Sequence, residues 1–321
     1  MPLTHIPNYH MKLSAKIILL AALLNFGCKR NDKPTIAFIA GAATDFWTLA
    51  EKGTNQAAKE LPGYNVIFKY TTDGATEEQK RVVDDLLVNG VSGIAIAPLD
   101  PINQKPFIDA TAEQVPVVIT DSDIPGSKRL CYLGTSNIQA GKAAGQLIKT
   151  ALPKGGKVML FVGKADAQNA KERITGLEEE LKDSGITIVG IKTDNIDRVR
   201  AKANVNDVLV SNPEVGCFVG LWSYNGPAIL NAVKESGKLA SVKIVCFDEE
   251  QETLQGVQKG EIVGTVVQQP YEFGYQSVKL LAKYISGDKK SAPGEVIIPA
   301  TIINHDNVEG FIAKMKAIRA K

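Results

Sequence analysis

Histidine is scarce in this chain of 321 residues: of its three, only His305 lies beyond residue 28. One imidazole cannot build a His-rich metal site, and a Ser-His-Asp triad lacks material. Net charge is nearly absent too. Lys plus Arg (37) offsets Asp plus Glu (35) to leave +2, with bases scattered among acids, so no field gathers nucleic acid or anionic membrane. No G-x-G-x-x-G follows the first β-rich run. The stretch from Gly134 to Gly141-Lys142-Ala143 has the wrong spacing for a phosphate loop and no Ser or Thr after the lysine. The chain is therefore expected to be no enzyme, to carry neither cofactor nor metal, and to bind no nucleic acid.

Long apolar runs are also missing. The run Ile17 to Leu24 is far short of the ~20 residues that span a bilayer. With Lys12 and Lys16 before it and Gly27-Cys28 after it, the order is that of an export signal. Met11 is a natural start, which makes residues 1–10 an extension. Gly27-Cys28 resembles a lipoprotein signal, whose cysteine takes the lipid, although Asn25 departs from the usual Leu or Val. Residues 1–28 are thus read as signal, Cys28 as the lipidated residue and 29–33 as a short polar tether. A plain secretory signal, leaving the protein soluble in the periplasm, is the alternative. Three cysteines remain, Cys131, Cys217 and Cys246, each inside an apolar run. An odd count makes no disulfide framework, and buried thiols are expected, with a Cys217–Cys246 bridge left open.

What is present is rhythm. Short β-rich runs (Thr35–Gly41, Asn65–Tyr70, Gly93–Pro98, Val115–Asp121, Arg129–Gly134) alternate with helical patterns over Phe46–Leu61, Thr76–Asn89 and Ile102–Gln114. The rhythm restarts at the helical stretch Ile138–Leu152. It runs through Lys157–Gly163, Ile186–Ile191, Cys217–Trp222, Lys243–Asp248 and Ile262–Gln268, again with helical stretches between, and ends on Tyr271–Ile285. Continuously apolar strands indicate parallel sheets covered on both faces. Two series of βα units predict an α/β fold of two doubly wound parallel-sheet lobes.

In such sheets ligands sit beyond the carboxyl ends of the strands. The residues found there are Thr44, Asp45, Phe46 and Trp47; Asp121, Ser122 and Asp123; Trp222, Ser223, Tyr224 and Asn225; Asp248; and Gln268. Carboxylates and amides take hydroxyl protons, while aromatic rings stack on C–H faces, which is what a polyol requires.

The chain closely resembles the periplasmic sugar-binding proteins of the ribose-binding type, solute receptors of ABC importers. The resemblance covers about Pro34 to Val308. It is carried by AATDFWTLAEKG (Ala42–Gly53), VPVVITDSD (Val115–Asp123), YLGTSNIQAGKAAG (Tyr132–Gly145), NAKERITGL (Asn169–Leu177), IVCFDEE (Ile244–Glu250) and TVVQQP (Thr265–Pro270), in the family's order. It implies that Phe46 and Trp47 stack on the sugar, that Asp121 and Asp248 bind hydroxyls, that Arg173 bonds ring or hydroxyl oxygens, and that Gln268 lies at a crossover. Thr44 replaces an asparagine, Ser122 an arginine and Ile196 an aromatic residue, so ribose itself is in doubt. WSYN (Trp222–Asn225) replaces an asparagine-led turn, with Asn225 offering the amide. It further implies three chain crossings, near Thr135, Gln268 and Ile298. These give lobe one as 34–135 and 269–297, and lobe two as 136–268 and 298–321. Transcription repressors share the core but carry a DNA-binding headpiece where this chain has its signal.

Local readings compete with these. Asp after a strand is commonly a helix N-cap, the role expected of Asp45. Arg173, with Glu172, Glu178 and Glu179 close in sequence, has a surface ion pair as its ordinary reading. Two adjacent aromatics cannot both face one helical core stripe, which favours a ligand role for Phe46 and Trp47. The expected protein is a monomer that captures a monosaccharide or polyol by closing its lobes and presents it to an ABC permease. The alternative partner is a chemoreceptor or histidine-kinase ectodomain.

Overall fold

The computed structural model describes residues 1–2, 33–41, 44–71 and 75–320. The signal, Cys28 and most of the tether lie outside the described residues.

The first sheet contains β1 (Thr35–Ile39), β2 (Asn65–Lys69), β3 (Gly93–Ile96), β4 (Val117–Thr120), β5 (Cys131–Gly134) and β11 (Glu295–Ile297), in the order β11-β5-β4-β3-β1-β2. The second contains β6 (Gly156–Val162), β7 (Ile186–Thr193), β8 (Val215–Gly220), β9 (Lys243–Phe247), β10 (Gly264–Val267) and β12 (Thr301–Asn304), in the order β12-β10-β9-β8-β6-β7. The two orders are the same if β1 to β5 are matched with β6 to β10. The last strands differ, since β11 runs parallel to β5 whereas β12 runs antiparallel to β10.

Both faces of each sheet are covered. In β1, Ile36 and Phe38 join one apolar cluster and Ala37 and Ile39 the opposite one. In β6, Met159 and Phe161 face one way and Val158, Leu160 and Val162 the other. Continuous apolar runs are the consequence of this double burial. The edge strand β7 breaks the pattern: Val189 and Ile191, on one of its faces, stay exposed.

The first sheet is covered by α1 (Asp45–Glu60), α2 (Thr76–Val88), α3 (Pro101–Ala112) and α9 (Pro270–Ile285). The second is covered by α4 (Asn137–Ala151), α5 (Gln168–Leu181), α6 (Arg198–Ser211), α7 (Asn225–Glu235), α8 (Gln251–Gln258) and α10 (Val308–Arg319). The chain passes between the sheets after β5, after β10 and between β11 and β12. Where α9 crosses α1, a Cβ on Gly274 would fall 2.0 Å from the Ala50 carbonyl oxygen; where α4 crosses α5, one on Gly141 would fall 2.2 Å from that of Arg173. These helix pairs therefore touch backbone to backbone, which bare glycine alone permits.

Cys131, Cys217 and Cys246 are free and buried, as expected, and the bridge left open between Cys217 and Cys246 does not form. One expectation is corrected. Asp45 is the first helical residue of α1, and Thr44 holds the N-cap position, without a side-chain capping bond. The short β11 and β12 and helix α10 are structure that the sequence patterns did not reveal.

Candidate functional site

The carboxyl ends of the two sheets face one another across a cavity of about 160 Å³. Phe46, Trp47, Thr44, Asp121 and Ser122 line it from the first sheet's side; Arg173, Trp222, Asp248 and Gln268 line it from the second sheet and its β10 exit. Asn169 Nδ2 donates to Asp121 Oδ2 at 3.3 Å, so the two sides touch across the cleft.

Asp121 follows β4 and Asp248 follows β9, the matched strand of the other sheet. Both have left-handed backbones, with φ of 63° and 66°, a region that Asp enters more readily than most side chains. Burial lifts the Asp121 carboxyl to about 6; the charge of Asp248 adds to the rise, while Arg173 and the Asn169 bond oppose it. Burial also raises the Asp248 carboxyl, against Arg173 and the 3.1 Å bond from Gln268 Nε2.

Arg173 is the counter-charge for both. It is 1% exposed, so the surface ion pair suggested by its glutamate neighbours does not form. Its Nε donates to Asn137 Oδ1 at 2.9 Å and its Nη1 to the Leu221 carbonyl at 2.5 Å. The guanidinium carbon lies 4.5 Å from the centre of the Phe247 ring. Its Nη2 finds no partner among the described residues, and neither do Gln268 Oε1 and Ser122 Oγ. Buried polar atoms are almost always satisfied. One donor, one acceptor and one hydroxyl without partners, all on cavity-lining residues, are thus places for a polar solute.

Phe46 and Trp47 meet edge to face, with ring centres 4.9 Å apart. Both belong to the apolar core of the first sheet as well as lining the cavity. Core and cavity are not alternatives here: α1 starts at the mouth, so its first turn touches both. Trp222 lines the opposite wall, and its Nε1 donates to Asn169 Oδ1 at 3.3 Å.

Two candidates do not reach the cavity lining. Asp123 accepts from Arg129 Nε at 2.6 Å and Nη2 at 2.8 Å, an ion pair six residues long that turns it into the first lobe. Asn225 accepts from the Trp222 N–H at 3.1 Å and donates to Asp194 at 3.0 Å, so it braces the turn. Sequence reasoning passed over Asn169 and Lys164, both lining residues. Lys164 stands just beyond the run Lys157–Gly163, where the strand-end rule would have found it.

A model of the periplasmic binding protein domain matches residues 36–289. The chain belongs to the periplasmic binding protein family. The resemblance read from the sequence holds within it. The ribose import binding protein of Salmonella typhimurium is 24% identical over 283 residues, covering 88% of this chain and 95% of that protein. Among solved structures, the glucose-galactose binding protein GanP of Geobacillus stearothermophilus is 29% identical with a TM-score of 0.81, covering 86% of this chain and 99% of that one. An ABC transporter solute-binding protein of Burkholderia graminis, in complex with D-arabinose, is 27% identical with a TM-score of 0.82, covering 87% and 98%. The two-lobed fold of this periplasmic binding protein is shared throughout both. No helix among its described residues is long and apolar enough to cross a membrane.

Proposed function

We propose that this protein is the solute-binding component of an ABC importer, exported and held at the membrane surface by lipid on Cys28, and that it captures a monosaccharide or related polyol between its lobes. The observation that carries the reading is the set of unpartnered polar atoms, Arg173 Nη2, Gln268 Oε1 and Ser122 Oγ, on a cavity that also holds two carboxylates and four aromatic side chains. A neutral polyol answers each of them: hydroxyls donate to Asp121, Asp248 and Gln268, accept from Arg173, and leave C–H faces for Phe46, Trp47 and Trp222. Each charge-assisted bond contributes about 1.5–3 kcal/mol once water is excluded.

The lobes open and close about the three crossings, and a solute that contacts both favours the closed state by its differential affinity. The monomer with its lobes shut is the form a permease reads. A thermal-shift screen over D-ribose, D-glucose, D-galactose, D-arabinose and ribitol tests this. A ligand at 100 times its dissociation constant adds about 2.7 kcal/mol of stability; no response from any sugar or polyol contradicts the reading.

A further inference from the structure

The turns after β3 and β8 occupy matched places in the two sheets, and both line the cavity, through Pro98 and Leu99 in one and Trp222 and Tyr224 in the other. Each is clamped by an amide from the first turn of the helix that follows. In the first lobe, Gln104 Oε1 accepts from the N–H groups of Leu99 and Asp100 at 2.8 and 2.9 Å, and Gln104 Nε2 donates to Gln79 at 2.8 Å. Gln79 in turn donates to the Ala97 carbonyl at 2.7 Å. In the second lobe, Asn225 plays the part of Gln104. It accepts from Trp222 N–H and donates from its own Nδ2 to Asp194.

The anchors differ. Gln79 is neutral, whereas Asp194 is a carboxylate only 1% exposed. Three donors converge on it: Tyr224 OH at 2.5 Å, Ile196 N–H at 2.8 Å and Asn225 Nδ2 at 3.0 Å. Its loop is held in an unusual form, with Asn195 at φ 56° and Ile196 at φ 69°. A β-branched residue in the left-handed region is a true outlier, kept only where its surroundings dictate it. Ile196 lines the cavity, as Trp222 does. Gly163 completes the seat: a Cβ there would fall 2.1 Å from the Trp222 ring and 2.7 Å from Tyr224 OH.

We propose that Asp194 is a positioning residue for solute selectivity: outside the cavity lining itself, it holds Trp222 and Ile196 as the second lobe's wall through Asn225, Tyr224 and the Ile196 N–H. This rests on the reading that the solute occupies this cavity. The acceptor-only chemistry is specific. An amide at position 194 keeps one acceptor oxygen but sets its NH2 against Asn225 Nδ2, donor facing donor.

The test is a double-mutant cycle of Asp194→Asn, Asn225→Asp and both together. In the double variant the amide at 194 donates to the carboxylate at 225, which still accepts from Trp222 N–H, so the clamp re-forms with the charge moved. Two readouts apply. Trp47 and Trp222 are the two tryptophans, so a Trp47→Phe background isolates the emission of Trp222 without any ligand. Calorimetry with D-ribose, D-glucose, D-galactose, D-arabinose and ribitol gives the ranking of affinities in the parent sequence. Each single variant is expected to shift Trp222 emission and weaken the best-bound solute by roughly tenfold or more, the scale of one unsatisfied buried group. The poorest should change less, and the double variant should recover both readouts.

Single variants that lose stability while keeping the emission and the ranking make Asp194 merely structural and overturn the proposal. So does a double variant no better than the singles. If Asp194→Asn does not fold, Tyr224→Phe removes one donor alone; unchanged emission and ranking in that variant also overturn it. If no member of the panel binds the parent protein, the functional reading fails, and the emission cycle still decides on the clamp.

Discussion

The two lobes share a strand order and place an aspartate with a left-handed backbone at the same sheet position, yet they offer a solute different surfaces. The first lobe presents Phe46 and Trp47, rings rooted in its own core, and clamps its turn with neutral amides. The second presents Arg173, Asn169 and Trp222 and clamps its turn on a buried carboxylate. One lobe is chiefly apolar and the other chiefly polar and charged at a common cleft. Topology decides where the site is, and a handful of strand-end side chains decide what each half can hold.

The largest test of this contrast is Arg173→Met. It leaves Asp121 and Asp248 buried without their counter-charge, which is expected to cost about 3–5 kcal/mol of stability by urea denaturation and to abolish solute binding by calorimetry. The next contrasts the two tryptophans. Trp47→Ala opens a hole in a core and is expected to lose about 3 kcal/mol or more of stability. Trp222→Ala, at a half-buried side chain that packs only against the margin of its core, is expected to lose about 1 kcal/mol while weakening solute affinity. Equal losses of stability would erase the distinction between a lobe whose lining rings are rooted in its core and one whose lining tryptophan sits on a turn.

The smallest effect is on pH. Asp121 in the folded protein titrates near 6, above the usual 3.8 for its carboxyl. Its raised value means that the folded, unliganded protein holds the proton more tightly than the unfolded chain. The stability contributed by this group is present below pH about 4 and is lost as pH rises through about 6. Affinity is expected to run the other way if, as proposed, solute hydroxyls donate to the ionised form. Binding measured by calorimetry is expected to be level above pH 7 and roughly tenfold weaker at pH 5. A flat profile would remove Asp121 from the hydroxyl-binding set.

Much of this was legible in the sequence, and the failures have physical causes. Strands buried on both faces are apolar throughout, so the inner strands stand out, and even the edge strands β2 and β7 keep enough β-branched and aromatic residues to be read; the rule of looking beyond the strand ends led to Asp121, Asp248 and Trp222. The strands β11 and β12, of three and four residues, are too short to show any period. Asp123 and Asn225 have the right chemistry at the right places, but their neighbours claim them: Arg129 takes the first and Asp194 the second. By its local sequence alone Arg173 reads as a surface residue beside glutamates, and only the resemblance pointed it to the site. It is buried because Gly141 lets α4 meet α5 at the Arg173 backbone, a close approach that local sequence around the arginine does not display.

The central claim is that one solute is held between both lobes, and Asp248 tests it most directly. Titration calorimetry on the parent protein and on Asp248→Ala, using whichever sugar or polyol gives the largest thermal shift, measures what the second lobe's carboxylate contributes. The account predicts a folded variant whose affinity falls roughly ten- to hundredfold, the scale of one charge-assisted hydrogen bond. An unchanged affinity in a folded variant would contradict it.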